Sequence, residues 1–172
     1  MTVKHINRGV STLLVLSAVL LGILVPGGPI ETRDFSHISP VILGAFNTFL
    51  TGLGIGSFVF AYFVLKAKRW AFVASLVCGI SYFLVYTLDL GKIFPVSPNE
   101  MPTALLVIEI VGTLVSLPLT YLSIRTIQMP MPGIVVHEAT AVMSNGRVLL
   151  LAAMFLAGIG IIIYATLAAM GK

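Results

Sequence analysis

The sequence is poor in charged residues. Only 9% of its 172 residues are Asp, Glu, Lys or Arg, whereas 58% are hydrophobic and the mean hydropathy is +1.08. Soluble globular proteins carry about 25% charged residues, so this composition excludes that class and predicts an integral membrane protein. The basic residues stand between apolar runs, which predicts a role in membrane topology and no nucleic-acid partner.

Cysteine and histidine are also scarce. Cys78 is the only cysteine, which excludes an internal disulfide and a thiolate-ligated zinc or iron–sulfur site within this chain. The three histidines, His5, His37 and His137, all fall outside the predicted spans. The membrane segments therefore offer no histidine pair for b-type haem and no base for a serine hydrolase triad. We predict no metal site and no intrinsic cofactor.

Five apolar runs are long enough to cross a bilayer, because about twenty helical residues cover its ~30 Å hydrocarbon core. The predicted fold is an all-α transmembrane bundle that forms a single domain over residues 1–172. Its spans cover about residues 10–25, 40–65, 70–90, 103–124 and 148–170. The first run has the length of a signal peptide, but Pro26-Gly27-Gly28-Pro29 after it is no cleavage pattern, so we expect it to be retained. The connection 126–147 is expected on the inner membrane surface.

The distribution of basic residues predicts the orientation. One set of loops and termini carries most of them, namely Lys4, Arg8, Lys66, Lys68, Arg69, Arg125 and Arg147. The alternate set carries only Arg33, Lys92 and Lys172. By the positive-inside rule, the N-terminus lies inside and the C-terminus outside. We expect the protein in a prokaryotic plasma membrane.

Span four contains one acidic residue, Glu109, and no basic one. A carboxyl group inside a span is by default expected to be functional. At 100° per residue, Glu109 shares one side of the helix with Gly112, Ser116 and Thr120. Because burial favours the neutral form of a carboxyl group, Glu109 is expected both to donate and to accept a proton.

Other polar side chains have a similar predicted depth. Asn47 lies about as far into span two as Glu109 does into span four, and span three has a second polar face. Since spans joined by short connections are usually neighbours, these groups should converge on one cavity near the outer leaflet. We assign proton transfer to Glu109 and Asp89, and ligand binding to Asn47, Tyr82, Tyr86 and Lys92.

An amide and tyrosine hydroxyls beside a carboxyl group suit an amphipathic ring with carbonyl groups. A quinone is therefore the predicted ligand, with a lipid-like molecule as the broader class. The simpler interpretation is that Glu109 bonds to Asn47 or Tyr82 and only fixes helix packing, while Asp89 and Lys92 form an interfacial salt bridge or a helix-end contact.

Two short motifs carry a family resemblance. They are Leu53-Gly54-Ile55-Gly56-Ser57-Phe58 in a glycine-rich span and Leu88-Asp89-Leu90-Gly91-Lys92 before a proline-bearing loop. Over about residues 44–98 the chain resembles the NrfD/PsrC-like membrane anchors of respiratory oxidoreductases. The resemblance implies a haem-free subunit that exchanges electrons between membrane quinones and an attached iron–sulfur subunit. Lys92 replaces the arginine of the family's run, and the chain has about half of the family's helices, so it would correspond to one of its helix bundles.

The same features allow two other functions. A structural or assembly subunit would use the glycine seams and polar faces for packing alone, and Glu109→Gln would then change complex yield but not turnover. A small transporter or channel would line water with the polar stripe of span four. The inner half of that stripe lacks an ionisable group and no inverted repeat is evident, which disfavours transport. The expected partners are membrane lipids and other subunits of a complex, including iron–sulfur or haem proteins.

Overall fold

A computed structural model describes residues 3–129 and 145–172. Over these residues the regular structure is entirely helical. The helices are α1 (Val3–Ile23), α2 (Pro40–Leu65), α3 (Arg69–Leu90), α4 (Thr103–Gln128) and α5 (Asn145–Ala169). All five are long and apolar enough to cross a membrane. The prediction of an all-helical fold with five such segments is confirmed.

Three helices extend by several residues beyond the apolar runs that predicted them. α1 begins at Val3, ahead of the apolar run that starts at Val10, α4 continues past Ile124 to Gln128, and α5 begins at Asn145, ahead of Val148. Backbone hydrogen bonds can continue through polar residues at a span's end, so hydropathy locates the span but not the end of its helix. The connection 126–147 thus begins inside α4, and its residues 130–144 lie outside the described residues.

Proline marks where the second and fourth helices begin. Pro40 occupies the first turn of α2 and Pro102 is the N-cap residue of α4. Proline lacks a backbone N–H group, and the first turn of a helix has no partner for that group in any case. Both helices start at the same end of the bundle, because each follows a loop at the end of the preceding odd-numbered helix, α1 or α3.

The core of the bundle lies among α1, α2, α3 and α4, with α5 packed against α2. Its apolar centre includes Val10, Leu14, Phe72 and Leu119, all fully buried. α3 and α4 approach closely at Gly79, where an added Cβ would lie 2.6 Å from Thr120 Oγ1. This close packing brings the polar residues of α3 and α4 against each other.

One end of the bundle, which we call the loop end, is formed by loops 24–39 and 91–102 and the C-terminal end of α5. Asp34 N donates to Asn99 Oδ1 at 3.0 Å, and Ser97 Oγ donates to the Asp34 carbonyl at 3.0 Å. Phe35 N donates to the carbonyl of Ala169 at 2.9 Å. The opposite end, the basic end, carries the α2–α3 turn and the end of α4. The two loops are thus folded together over one end of the core.

Candidate functional site

A cavity of about 50 Å³ lies at the loop end of the core. We call it the carboxyl chamber, after the polar residues of its wall, which are Glu31, Arg33, Asn47, Tyr86, Asp89 and Glu109. Apolar side chains, including Leu21 and Leu50, complete the wall. One water needs about 10–15 Å³ of such volume, so the chamber has room for about four water molecules. The chamber is therefore large enough for a few waters and too small for a ring.

Arg33 joins two carboxylates in this wall. Its Nη1 and Nη2 donate to Asp89 Oδ1 and Oδ2 at 2.8 and 2.7 Å. Its Nε donates to Glu31 Oε1 at 2.9 Å, and Nη2 also contacts Glu31 Oε2. All three residues are at most 8% exposed. These bonds fix the α1–α2 loop onto the end of α3.

The charge of Arg33 is secure. Burial would lower the pKa of its guanidinium, but the hydrogen bonds that it donates to Asp89 and Glu31 and the charges of both carboxylates hold that pKa above its usual range. Arg33 is therefore a fixed positive charge, and any titration in the chamber belongs to its carboxyl groups.

Glu109 is the most deeply buried carboxyl group of the chamber, with 2% of its surface exposed. Its carboxyl group lies beside that of Asp89. Its Oε2 has no hydrogen-bond partner among residues 3–129 and 145–172. The chamber thus contains three carboxyl groups against one guanidinium, and one carboxyl oxygen aims at no protein donor.

Tyr86 supplies the aromatic part of the wall. Its ring is buried, and its hydroxyl has no partner within the described part of the chain. Gly112 of α4 makes room for it, because a Cβ at this position would lie 2.6 Å from Tyr86 Cζ. The ring also stacks on Tyr82, with centroids 6.3 Å apart and an angle of 16° between planes.

The structure brings four of the six predicted site residues to the chamber: Asn47, Tyr86, Asp89 and Glu109. Asn47 also bonds to α5, since its Nδ2 donates to Thr166 Oγ1 at 3.1 Å. Tyr82 lies deeper, where its hydroxyl is 2.9 Å from Ser57 Oγ. The simple packing bonds expected from Asn47 or Tyr82 to Glu109 are thus replaced by bonds to other partners.

Lys92 does not join the chamber, and the expected salt bridge between Asp89 and Lys92 is wrong. The chain leaves α3 after Leu90, and Lys92 adopts a left-handed backbone conformation with φ of 52°. Its backbone N–H donates to the Asp89 carbonyl, while Arg33 occupies both carboxylate oxygens of Asp89. A bidentate guanidinium takes the position that the sequence assigned to a lysine.

Sequence reasoning missed Glu31 and Arg33. Both stand in a loop that the sequence placed on the same side of the membrane as Asp89, which was the one available signal. Hydropathy cannot show that a polar loop folds back between helix ends. The chamber therefore has a wall that no span contributes.

A second cavity, of about 140 Å³, lies between α1, α2 and α5, and we call it the apolar cleft. It shares Leu21, Asn47 and Leu50 with the carboxyl chamber, together with two other residues of the α1 end, Leu24 and Pro26. Gly22 and Gly54 lie in its wall, and a Cβ at either position would meet nothing within 4 Å. An apolar cavity of about 150 Å³ accommodates a benzene ring. Chamber and cleft therefore adjoin as a polar and a ring-sized apolar compartment.

A third cavity, of about 150 Å³, adjoins the chamber at Arg33. We call it the vestibule; it is lined by Arg33, Lys92 and residues 95–101. Arg33 and Pro95 line both the vestibule and the chamber. Lys92 and Glu100 in its wall are exposed. The Arg33 side chain thus stands between the chamber and the surface.

A family model described as "Domain of unknown function (DUF8051)" matches residues 6–145, most of the chain. The chain belongs to the DUF8051 family. No curated protein and no solved structure matches it.

The DUF8051 match includes every polar residue of the carboxyl chamber, since these lie between positions 31 and 109. The vestibule also falls within it. The α5 wall of the apolar cleft, at Ile161 and Ala165, lies beyond the DUF8051 segment. The polar wall of the chamber therefore belongs to the DUF8051 part of the molecule, whereas α5 outside it contributes apolar residues to both cavities, namely Ala169 to the chamber and Ile161 and Ala165 to the cleft.

Proposed function

We propose that this DUF8051 protein is an integral membrane subunit of a respiratory or other electron-transport complex, and that it binds a quinone. The observation that carries the proposal is the junction of the carboxyl chamber with the apolar cleft. Asn47 lies in the wall of both compartments, between a cleft of ring size and a chamber of water size. A neutral ring in the cleft would bring its carbonyl oxygens to Asn47 and to the carboxyl groups.

Charge favours a quinone over a phospholipid headgroup. The chamber holds Glu31, Asp89 and Glu109 against the single positive charge of Arg33. A phosphate in this low-dielectric site would be repelled by the carboxylates, whereas a neutral ring would not. The charges of the chamber therefore disfavour a phospholipid as the ligand, which the sequence alone left open.

The chamber residues would serve the protons of the reaction. Reduction of a quinone to a quinol takes two electrons and two protons. Glu109 and Asp89 would deliver these protons, and the Tyr86 hydroxyl would hydrogen-bond a carbonyl oxygen of the ring. Tyr82 would hold the Tyr86 ring by stacking, and Lys92 would act in the vestibule and not in the chamber. Electrons would come from an iron–sulfur or haem group of a partner subunit.

The membrane setting completes the proposal. With the basic end inside and the loop end outside, the chamber lies near the outer leaflet of a prokaryotic plasma membrane. The likeness of residues 44–98 to NrfD/PsrC-like anchors supports a quinone-linked role.

The test is purification from the native membrane in mild detergent, with intact mass of the assembly and extraction of bound quinone. We expect near-stoichiometric quinone in the wild type and its loss in Glu109→Gln. Glu100→Gln is the matched control, since Glu100 lies in the exposed wall of the vestibule. Quinone absent from the wild type, or equally retained in both variants, would refute the proposed site. If Glu109→Gln lowers complex yield without changing turnover, the protein is a structural subunit.

The excess of carboxyl groups also favours a second candidate, a proton-coupled transporter of lipophilic cations. A cation with aromatic groups would place its charge near Asp89 and Glu109 and its rings in the apolar cleft. Binding of tetraphenylphosphonium to the purified protein, weakened at low pH and lost in Glu109→Gln, would favour this function. No binding of that cation at any pH would exclude it.

A further inference from the structure

We propose that Glu109 and Asp89 share one buried proton, and that this proton exchanges with the loop-end surface through the vestibule, past Arg33. The shared proton would reach the proposed quinone site from one side of the membrane only, and in that sense the inference rests on the proposed function. Its test, however, uses no quinone, so the two can fail separately.

The described wall of the chamber carries more acidic than basic groups. Glu31 and Asp89 already bring two negative charges to the single positive charge of Arg33, through hydrogen bonds that leave none of the Asp89 oxygens without a partner. A third negative charge on Glu109 would find no counter-charge among the described residues lining the chamber. Leaving a buried charge uncompensated is strongly unfavourable, so a proton on the carboxyl pair is the stable arrangement.

One oxygen of the Glu109 carboxyl group lacks a hydrogen-bond partner within the described part of the chain. Among the described residues, its Oε2 accepts no hydrogen bond, although it is buried beside the Asp89 carboxyl group. Two adjacent carboxylates repel each other, but a carboxylic acid donates a hydrogen bond to a neighbouring carboxylate. One proton on Glu109 Oε2 therefore satisfies that atom and removes the repulsion from Asp89.

The other described groups around the pair do not hold the exchangeable proton. Arg33 keeps its charge, as its raised pKa requires, and so cannot release a proton. The neighbouring helices α1, α2 and α5 contribute Leu21, Ala169 and the non-titrating amide of Asn47. On α3 the Tyr86 phenol faces the chamber, and from the loop only Glu31 remains, already bonded to Arg33. The exchangeable proton thus belongs to Glu109 and Asp89.

The proton exchanges with the loop-end surface by way of the vestibule. The chamber has room for a few waters, and Arg33 and Pro95 separate it from the vestibule. In the exchange, the O–H bond of Glu109 breaks, the proton passes by water or Asp89 to the vestibule, and Glu109 is reprotonated from the same side. On the basic-end side the core is fully buried. It combines apolar residues such as Leu14, Phe72 and Leu119 with serines whose hydroxyls donate to carbonyls of their own helices, among them Ser75 and Ser123. The proton therefore comes from the loop end.

Infrared spectroscopy of the full-length protein in lipid nanodiscs tests the shared proton directly. A protonated carboxyl group gives a C=O band that shifts in D₂O, and we expect one such band at neutral pH. It should be lost in Glu109→Gln and retained in Glu100→Gln. Carbon-13 labelling of glutamate, which changes no residue, should shift the same band even if Glu109→Gln fails to fold. No band in the wild type, or a band shifted only by labelled aspartate, would overturn the inference.

The side of exchange is tested by blocking the vestibule. In Lys92→Cys, attachment of a bulky thiol reagent should slow the D₂O shift of the band severalfold. Lys68→Cys, at the exposed turn of the basic end, is the control and should leave the rate unchanged. Equal rates with and without the label at position 92, or slowing by the label at position 68, would refute the vestibule route. A purified protein without quinone but with these results would refute the proposed function and leave the shared proton standing.

Discussion

Arg33 and Asp89, which are 56 residues apart in the chain, meet through two hydrogen bonds of 2.8 and 2.7 Å. The planar fork of a guanidinium matches a carboxylate in this way, and a lysine cannot reproduce it. The pair joins the loop after α1 to the end of α3 and closes the carboxyl chamber toward the vestibule. Its strength decides whether the chamber keeps its shape.

We expect Arg33→Gln to destabilise the protein by about 3–5 kcal/mol, because it leaves two buried carboxylates without their counter-charge. The measurement is the free energy of unfolding in detergent micelles, obtained from a denaturant titration. Adding Asp89→Asn should recover part of the loss, so that the double variant is more stable than the sum of the single effects predicts.

Lys92→Gln is the control for this pair, because Lys92 is an exposed cation of the same loop region. It should change stability by less than about 0.5 kcal/mol, as surface substitutions usually do. If Arg33→Gln costs no more than Lys92→Gln, the guanidinium bridge does not hold the loop in place.

Gly112→Ala is expected to displace the Tyr86 ring, since an added Cβ would lie 2.6 Å from Tyr86 Cζ. Overpacking of this kind costs about 1–3 kcal/mol, which thermal unfolding in micelles should resolve. Gly44→Ala is the matched control, because nothing lies within 4 Å of a Cβ there. The control should be neutral or slightly stabilising, as alanine is the better helix former.

The cause of the Gly112→Ala effect can be separated from general damage to α4. Combining it with Tyr86→Leu removes the ring, and stability should then recover relative to Gly112→Ala alone. No recovery in the double variant would show that Tyr86 is not what requires glycine at position 112.

Gly54→Leu is expected to fill the apolar cleft and so to abolish quinone binding while the protein still folds. The position tolerates a side chain because an added Cβ meets nothing within 4 Å. Gly52→Leu is equally unobstructed but lies outside the cleft wall, so it should keep its quinone. Extracted quinone per protein is the measurement. Retention in Gly54→Leu would place the ring elsewhere, even if Glu109→Gln loses it.

The sequence predicted the helices far better than it predicted the site. Apolar runs identified all five helices, because a bilayer leaves few alternatives for a long uncharged segment. Helical depth correctly grouped Asn47, Tyr86, Asp89 and Glu109, since depth follows from counting residues. Tyr82 has its hydroxyl bonded to Ser57 instead, because depth says nothing about how a helix is rotated toward its neighbours.

The loop residues were the larger gap. Arg33 was counted only as a topology signal, although it contacts two of the three carboxyl groups of the chamber. A loop's path depends on tertiary hydrogen bonds such as Asp34 N to Asn99 Oδ1, which join segments 65 residues apart. No local pattern encodes such a pairing. The polar chemistry of the site therefore emerges only when the loops are seen folded over the helix ends.

The orientation of the bundle gives the last prediction. Exposed basic residues at the basic end include Lys66, Lys68 and Arg69, whereas at the loop end Arg33 is neutralised by carboxylates. Free positive charge thus favours the basic end for the cytoplasmic side. In sealed cells, a membrane-impermeant thiol reagent should label Lys92→Cys and should label Lys68→Cys only after the membrane is permeabilised. The buried Cys78 should give little background in either case. Labelling of Lys68→Cys in sealed cells would show that the bundle has the opposite orientation. The carboxyl chamber would then lie near the inner leaflet and exchange protons with the cytoplasm.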